Sequence, residues 1–292
     1  LLSAVEPLRE AVEIDPAYDQ AWAALADVYV LLPEYEAGSI EEFVPKAIEA
    51  AEKALAINPD SARALTARAY ARFMYEFNFD SARQDFERAI DLEPGYATAY
   101  QWYGEMLAVL RQTNDALSQL DIAADLDPKS VIVAHVKAWI LIGADRLEEA
   151  AEQYAITLPM APDDGNILSN MEMLYLMTGD YEQARRVAER AAVAIGYPPE
   201  PSIAVADALE NPELLPRAVE ILSTSEGLPD GAMSKSLYYM LLDERELALS
   251  GMETAFEAGD PYAVHMNRLV MYDVFRDDPR FQRMLKEMNL WP

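Results

Sequence analysis

The chain has 292 residues, with 51 acidic side chains against 23 basic ones and a net charge of −28. Such a field repels the phosphates of nucleic acid and the anionic surface of a membrane, so neither is expected as a direct partner. The absence of cysteine excludes disulfides, thiolate metal sites and cysteine nucleophiles, and leaves the compartment open. The acidity fits a partner with a basic surface; it fits equally a need for solubility or a saline habitat, because the acids are spread along the whole chain. An apolar fraction of 52% with only 11 glycines, and no long alternation of apolar and polar residues, predicts an all-helical fold. No apolar run reaches the roughly 18 residues of a membrane-spanning helix.

Proline punctuates the chain at Pro16, Pro59, Pro94, Pro128 and Pro162, at intervals of 43, 35, 34 and 34 residues. Between Pro94 and Pro128, apolar residues at helical spacing (Tyr100, Tyr103, Leu107, Leu110) give way to a polar break, RQTND. A second helical pattern follows, with Ala116, Leu120 and Ala123. Two amphipathic helices with a short turn are predicted, each with one apolar stripe that it cannot bury alone. Trp22, Leu25, Ala26 and Tyr29 fill the pattern W-x2-L-G-x2-Y, with Ala26 in the glycine place; Ala82, Phe86 and Pro94 fill A-x3-F and the closing proline. On these residues the chain resembles the tetratricopeptide repeat family. The resemblance implies an α-α superhelix, a solenoid of antiparallel helix pairs. Ala26, Ala69, Gly104 and Ala138 are expected where the two helices of a unit cross. Ala47, Ala82, Ala116, Ala150 and Ala184 are expected where the second helix meets its neighbours.

In chain order, residues 1–15 read as the second helix of an incomplete repeat, since Ala4, Leu8 and Ala11 stand before Pro16 as Ala116, Leu120 and Ala123 stand before Pro128. With no starting Met and no signal-peptide pattern, the chain is expected to be a piece of a longer polypeptide. Residues 16–197 read as five repeats. The first carries nine extra residues in a segment at about 31–43, with Glu34, Glu36, Glu41 and Glu42, and with Tyr35 and Phe43. This segment is expected to be a longer first helix and a solvated loop, or else an acidic binding element. In the second repeat the aromatics of FMYEFNFD are expected to pack between repeats. The fifth has the turn TGDYEQA, and Gly196 replaces its closing proline; YPPEP then reads as an extended break. Residues 198–292 read as degenerate helical repeats and a cap. Asp278 is expected to cap a helix starting at Pro279, with Phe281, Met284, Leu285 and Met288 as its apolar stripe.

YATAYQWYGEML (Tyr96 to Leu107), and FRDDPRFQRMLKEMNL (Phe275 to Leu290), further resemble the C-terminal repeat regions of bacterial regulators that carry an adenylate-cyclase-type or winged-helix domain N-terminally. Phe275-Arg276 departs mildly from the Leu-Arg more usual there. This resemblance implies a sensory or regulatory role in a larger protein.

No enzyme constellation is present: HExxH, phosphate-binding glycine loops and G-x-S-x-G are all missing. The two histidines, His135 and His265, fall in distant repeats. A non-catalytic scaffold without cofactor or metal is expected. In the resemblance, first helices line the concave face, which points to Asp27, Tyr70, Gln101, Glu105, His135, Trp139 and Met173 as groove residues. Tyr70 and Trp139 would anchor an apolar side chain of a bound protein or peptide, or else pack on the next repeat. Asp27 and Glu105 would favour a basic or hydrogen-donating peptide. The basic residues of a carboxylate clamp are missing. The other readings are self-association, with the groove filled by the chain's own C-terminal region or a second copy, and a small-molecule sensor.

Overall fold

A computed structural model describes residues 1–35, 38–225 and 231–291. The described residues form helices joined by short turns, most of them α-helices in pairs, with no strand among them. Residues Leu2–Ile14 form α1, Asp19–Leu31 α2, Ile40–Ile57 α3, Ala62–Met74 α4, Phe79–Leu92 α5, Ala97–Val109 α6 and Thr113–Leu126 α7. Then come α8 (Val131–Gly143), α9 (Leu147–Thr157), α10 (Gly165–Thr178), α11 (Tyr181–Ile195), α12 (Glu200–Glu210) and α13 (Leu215–Thr224). The chain continues with α14 (Gly231–Leu241), α15 (Arg245–Glu257), two 3-10 stretches at Pro261–Arg268 and Val270–Phe275, and α16 (Pro279–Glu287). It divides into two compact units, Leu1–Pro128 with the last residues from Lys286, and Lys129–Leu285.

The small residues do the job their spacing predicts. A Cβ on Gly104 in α6 would stand 3.0 Å from the Ala116 carbonyl oxygen and 3.2 Å from Leu120 in α7. The crossing is therefore too close for anything bulkier than glycine or alanine. Ala26, Ala69 and Ala138 are fully buried, as are Ala82, Ala116 and Ala150. In each regular pair the first small residue lies twelve before the second: 104 and 116, 138 and 150. The same interval relates Ala206 in α12 to Ala218 in α13, and Ser236 in α14 to Ala248 in α15. There the Ser236 hydroxyl donates to the Ala248 carbonyl at 2.9 Å. The pairing of helices thus continues past the point where the proline period decays.

The turns inside the pairs share a backbone feature. Phe77, Arg111, Asp145 and Gly179, spaced by 34, all have positive φ (52°, 62°, 60° and 81°). Only one of the four is glycine, the residue that takes this conformation without a Cβ penalty.

Two elements differ from expectation. The extra length of the first repeat goes into a loop and into the second helix rather than the first: α3 has 18 residues against 14 in α5 and α7. Ser39 caps this added turn by accepting from the Glu42 amide at 3.2 Å. The stretch after Pro261 forms 3-10 helix instead of a regular first helix. The terminal helix α16 is as the sequence predicts. The Asp278 carboxylate accepts from the Arg280 amide at 2.8 Å, and Phe281, Met284, Leu285 and Met288 are fully buried.

Candidate functional site

In the first unit, the predicted groove residues are closed in by their own neighbours. Tyr70 is 2% exposed, with its ring 4.4 Å from that of Trp102 and 5.0 Å from that of Phe73. Gln101 and Glu105 are each 8% exposed, and Gln101 donates to Glu105 at 3.0 Å. Tyr70 is therefore no open anchor: it takes the alternative role of packing on the next repeat. Asp27 accepts a hydrogen bond from Arg63, yet burial outweighs that pairing and pushes its carboxyl up to about 6.

The inserted segment is not simply solvated. Tyr75 donates to the Val30 carbonyl at 2.9 Å and to Glu34 at 3.3 Å. Burial lifts the Glu34 carboxyl to about 8, against the opposing hydrogen bonds from Tyr70 and Tyr75. Phe43 packs on Tyr29, with ring centroids 5.7 Å apart. Tyr35 is exposed and borders an apolar groove with Leu1, Leu2 and Leu31. Glu36 lies outside the described residues.

In the second unit, two successive first helices present contrasting faces. On α8, Trp139 is covered by the chain's own Pro261–Arg268 stretch. The Arg268 guanidinium lies 3.2 Å above the Trp139 ring and donates to the Trp139 carbonyl at 3.0 Å. His265 meets the same ring edge-on at 4.7 Å. His135 stands one helical turn before Trp139 and packs toward a different ring, that of Tyr154, at 6.2 Å. Burial pushes His135 down to about 4, and burial with the Arg268 charge pushes His265 well below its ordinary value.

On α10, the corresponding face opens into a cleft. Met173, the groove residue expected on this helix, lines it with Ser169 one turn earlier, together with residues of α11, α12, α14 and the Tyr197–Pro199 link. At the cleft lies Glu172, 3% exposed, with Tyr238 Oη at 3.2 Å from each of its carboxylate oxygens. Ser202 Oγ is 2.8 Å from the same Tyr238 Oη. Burial raises the Glu172 carboxyl to about 8, against the hydrogen bonds of Ser202 and Tyr238. The sequence reading passed over Glu172. It stands 34 residues after Ala138 and twelve before Ala184, in the place that other pairs fill with alanine, glycine or serine. A carboxylate at a small-residue crossing is the signal that would have found it.

Among the described residues no group of three or more His, Asp or Glu side chains could hold a metal ion. No helix there is long and apolar enough to cross a membrane.

These features define an all-α fold of tetratricopeptide-type helix pairs. The tetratricopeptide repeat family model matches residues 72–130, from the end of α4 to the start of α8. No curated protein matches the chain significantly. Among solved structures the chain is similar to one from the APC/C hetero-tetramer Cut9–Hcn1, with a TM-score of 0.61 and 14% identity over 97% of this chain and 52% of that one. It is similar to a tetratricopeptide repeat protein from Parabacteroides merdae, with a TM-score of 0.55 and 12% identity over 90% of this chain and 99% of the other. PilF of Pseudomonas aeruginosa follows at a TM-score of 0.51 and 17% identity, over 82% and 95% of the two chains. At these identities the likeness is one of fold.

Proposed function

We propose that the chain is a non-catalytic protein-interaction scaffold that holds a polypeptide segment of a partner at the α10 face. The observation that supports this is the cleft beside Met173 and Ser169, on a first-helix face that the neighbouring pair at α8 fills with its own chain. A peptide entering there meets apolar walls and a small number of fixed polar groups, the composition that gives both affinity and orientation. The net charge of −28 favours a partner with a basic surface by steering encounter. The sensory part of a larger bacterial regulator, as the resemblance of Tyr96–Leu107 and Phe275–Leu290 suggests, is the setting proposed for this scaffold.

The test is photo-crosslinking in the source cells, from a benzophenone amino acid placed at Met173 or at Val193. Val193 is 88% exposed and lies on α11 away from the cleft. The expected outcome is one discrete protein adduct from position 173 and none from position 193. Identical adduct patterns from both would sink the proposal.

A second reading has its own observation. The Arg268–Trp139 contact favours a face whose occupant is the chain's own C-terminal region. It applies to α8, and confines partner binding to the faces that such contacts leave open.

A further inference from the structure

Glu172 breaks the rule that organises the rest of the fold. Its place is held by Gly104, Ala138, Ala206 and Ser236 in the other pairs, and Gly104 shows how little room a crossing leaves. A buried carboxyl is costly unless something compensates its charge. No described cation pairs with Glu172; its partners are the neutral hydroxyls of Tyr238 and Ser202. Local rules broken at buried positions mark places where function has overridden folding.

The geometry around it narrows the ligand. The cavity measures about 90 Å³, well below the roughly 300–1,000 Å³ of a site that engulfs a whole small molecule. One side chain fits. Beside its polar groups the cleft is lined by Met173, Ala192, Ile195 and Leu237, which suit an aliphatic stem. Both carboxylate oxygens already face Tyr238 Oη at 3.2 Å, so the edge that spans both, where the two-pronged fork of a guanidinium would sit, is taken. A compact ammonium makes no such demand.

We propose that the cleft over Glu172 receives one lysine side chain of a partner polypeptide, its stem between Met173 and Leu237 and its ammonium on the Glu172 carboxylate. This rests on the interaction-scaffold reading and names the residue that reading would recognise. The groups that face Glu172 are Tyr238 from α14, Ser202 from α12 and Tyr197 from the link after α11; α11 itself offers only alanines and Ile195. Burial keeps the carboxyl protonated up to about pH 8, whereas a lysine ammonium persists to about pH 10. Binding therefore expels the carboxyl proton, and it strengthens as the pH rises from 7 to 9.

The test is a titration of the whole chain, labelled with ¹³C at its methionine methyls, with the acetylated and amidated tripeptide Gly-Lys-Gly. The same peptide with norleucine or arginine at its centre, and n-butylammonium alone, serve as comparisons. The Met173 methyl, assigned from Met173→Leu, should shift saturably with the lysine peptide. The norleucine and arginine peptides, and the lysine peptide against Glu172→Gln, should bind about tenfold more weakly or worse, the loss expected with one charge-assisted hydrogen bond, and n-butylammonium, which has the ammonium but no peptide flanks, should bind more weakly than the lysine peptide. Glutamine matches the protonated acid in shape and charge, and the other methionine methyls report whether the fold is kept. The norleucine comparison needs no variant and decides the question alone if Glu172→Gln fails to fold. Equal binding of lysine and norleucine overturns the proposal, arginine as tight as lysine overturns the choice of lysine, and n-butylammonium as tight as the peptide overturns a polypeptide source. In each case a discrete crosslink from position 173 would still stand, so this pocket can fail while the scaffold reading survives.

Discussion

The first helices α8 and α10 occupy equivalent places in neighbouring pairs, and their faces have opposite fates. The α8 face carries a half-buried Trp139 and covers it with Arg268 and His265 from the chain's own Pro261–Arg268 stretch. The α10 face carries Met173 beside a cleft, and holds a carboxyl with only hydroxyl partners. The difference teaches that a helix-pair array does not dictate which faces are functional. The repeat supplies a scaffold of crossings, and one or two residues off the repeat pattern decide whether a face is closed or left open.

The largest expected effect separates the two faces by pH. The folded state keeps the Glu172 proton to about pH 8, whereas the unfolded chain loses it near the ordinary value of 4.5. Between those values the native state binds more protons, so this group makes stability fall as pH rises, by about 1.4 kcal/mol per unit. The histidines of the α8 face act in the other direction. Unfolded histidine takes a proton near 6.5, and folded His135 takes one only near 4; their contribution is lost as pH falls through that interval. Urea unfolding of the wild type and of Glu172→Gln, followed from pH 4 to 9, isolates the first effect, because the histidines and Glu34 are common to both. The variant should match the wild type near pH 4 and exceed it by about 5 kcal/mol above pH 8. A difference that does not change with pH would remove Glu172 from the comparison.

Next in size is truncation of the two predicted groove residues. Trp139→Ala removes a half-buried ring in contact with Arg268 and His265, and should cost about 2 kcal/mol, short of the loss at a fully buried aromatic. Met173→Ala, at a half-buried position bordering open space, should cost about 1 kcal/mol or less. Denaturation midpoints read both. Equal losses would mean that the α10 face is as closed as the α8 face.

The array was legible because its determinants are local and periodic. The prolines, the alanines from Ala26 to Ala184, and the Asp278–Pro279 start of α16 each act on residues within a turn or within the partner helix. Of the residues named from the sequence, Met173 lines the cleft, whereas Tyr70, Gln101 and Glu105 are buried. What covers such positions was not legible. Trp139 and Arg268 lie 129 residues apart, and no period links a first helix to an irregular 3-10 stretch. Tyr70 looks the same in sequence whether it meets a ligand or meets Trp102. Glu172 escaped for a different reason: attention went to the groove positions on either side of it, while the crossing position was taken to be small. The longer α3 escaped because Pro45 marks where a regular second helix would begin, and the Ser39 cap extends the helix ahead of it.

The smallest effect tests how firmly Arg268 closes the α8 face. Gly143 lies in the last turn of α8, and a Cβ there would overlap Arg268 Nη1 and stand 3.0 Å from its Cζ. On an unobstructed helix, glycine to alanine stabilises by about 1 kcal/mol. Here the methyl and the guanidinium compete for one place, and the guanidinium is held by the Trp139 ring and by its bond to the Trp139 carbonyl. Gly143→Ala should therefore destabilise, by about 1 kcal/mol. In an Arg268→Ala background only Leu269 Cδ2, at 3.2 Å and the end of a flexible side chain, still crowds the methyl, and the same substitution should turn stabilising. The two results differ by about 2 kcal/mol, a coupling within the range measured for side chains in direct contact. If alanine at position 143 is equally favourable in both backgrounds, Arg268 moves aside at no cost, and the α8 face is closed no more firmly than the α10 face.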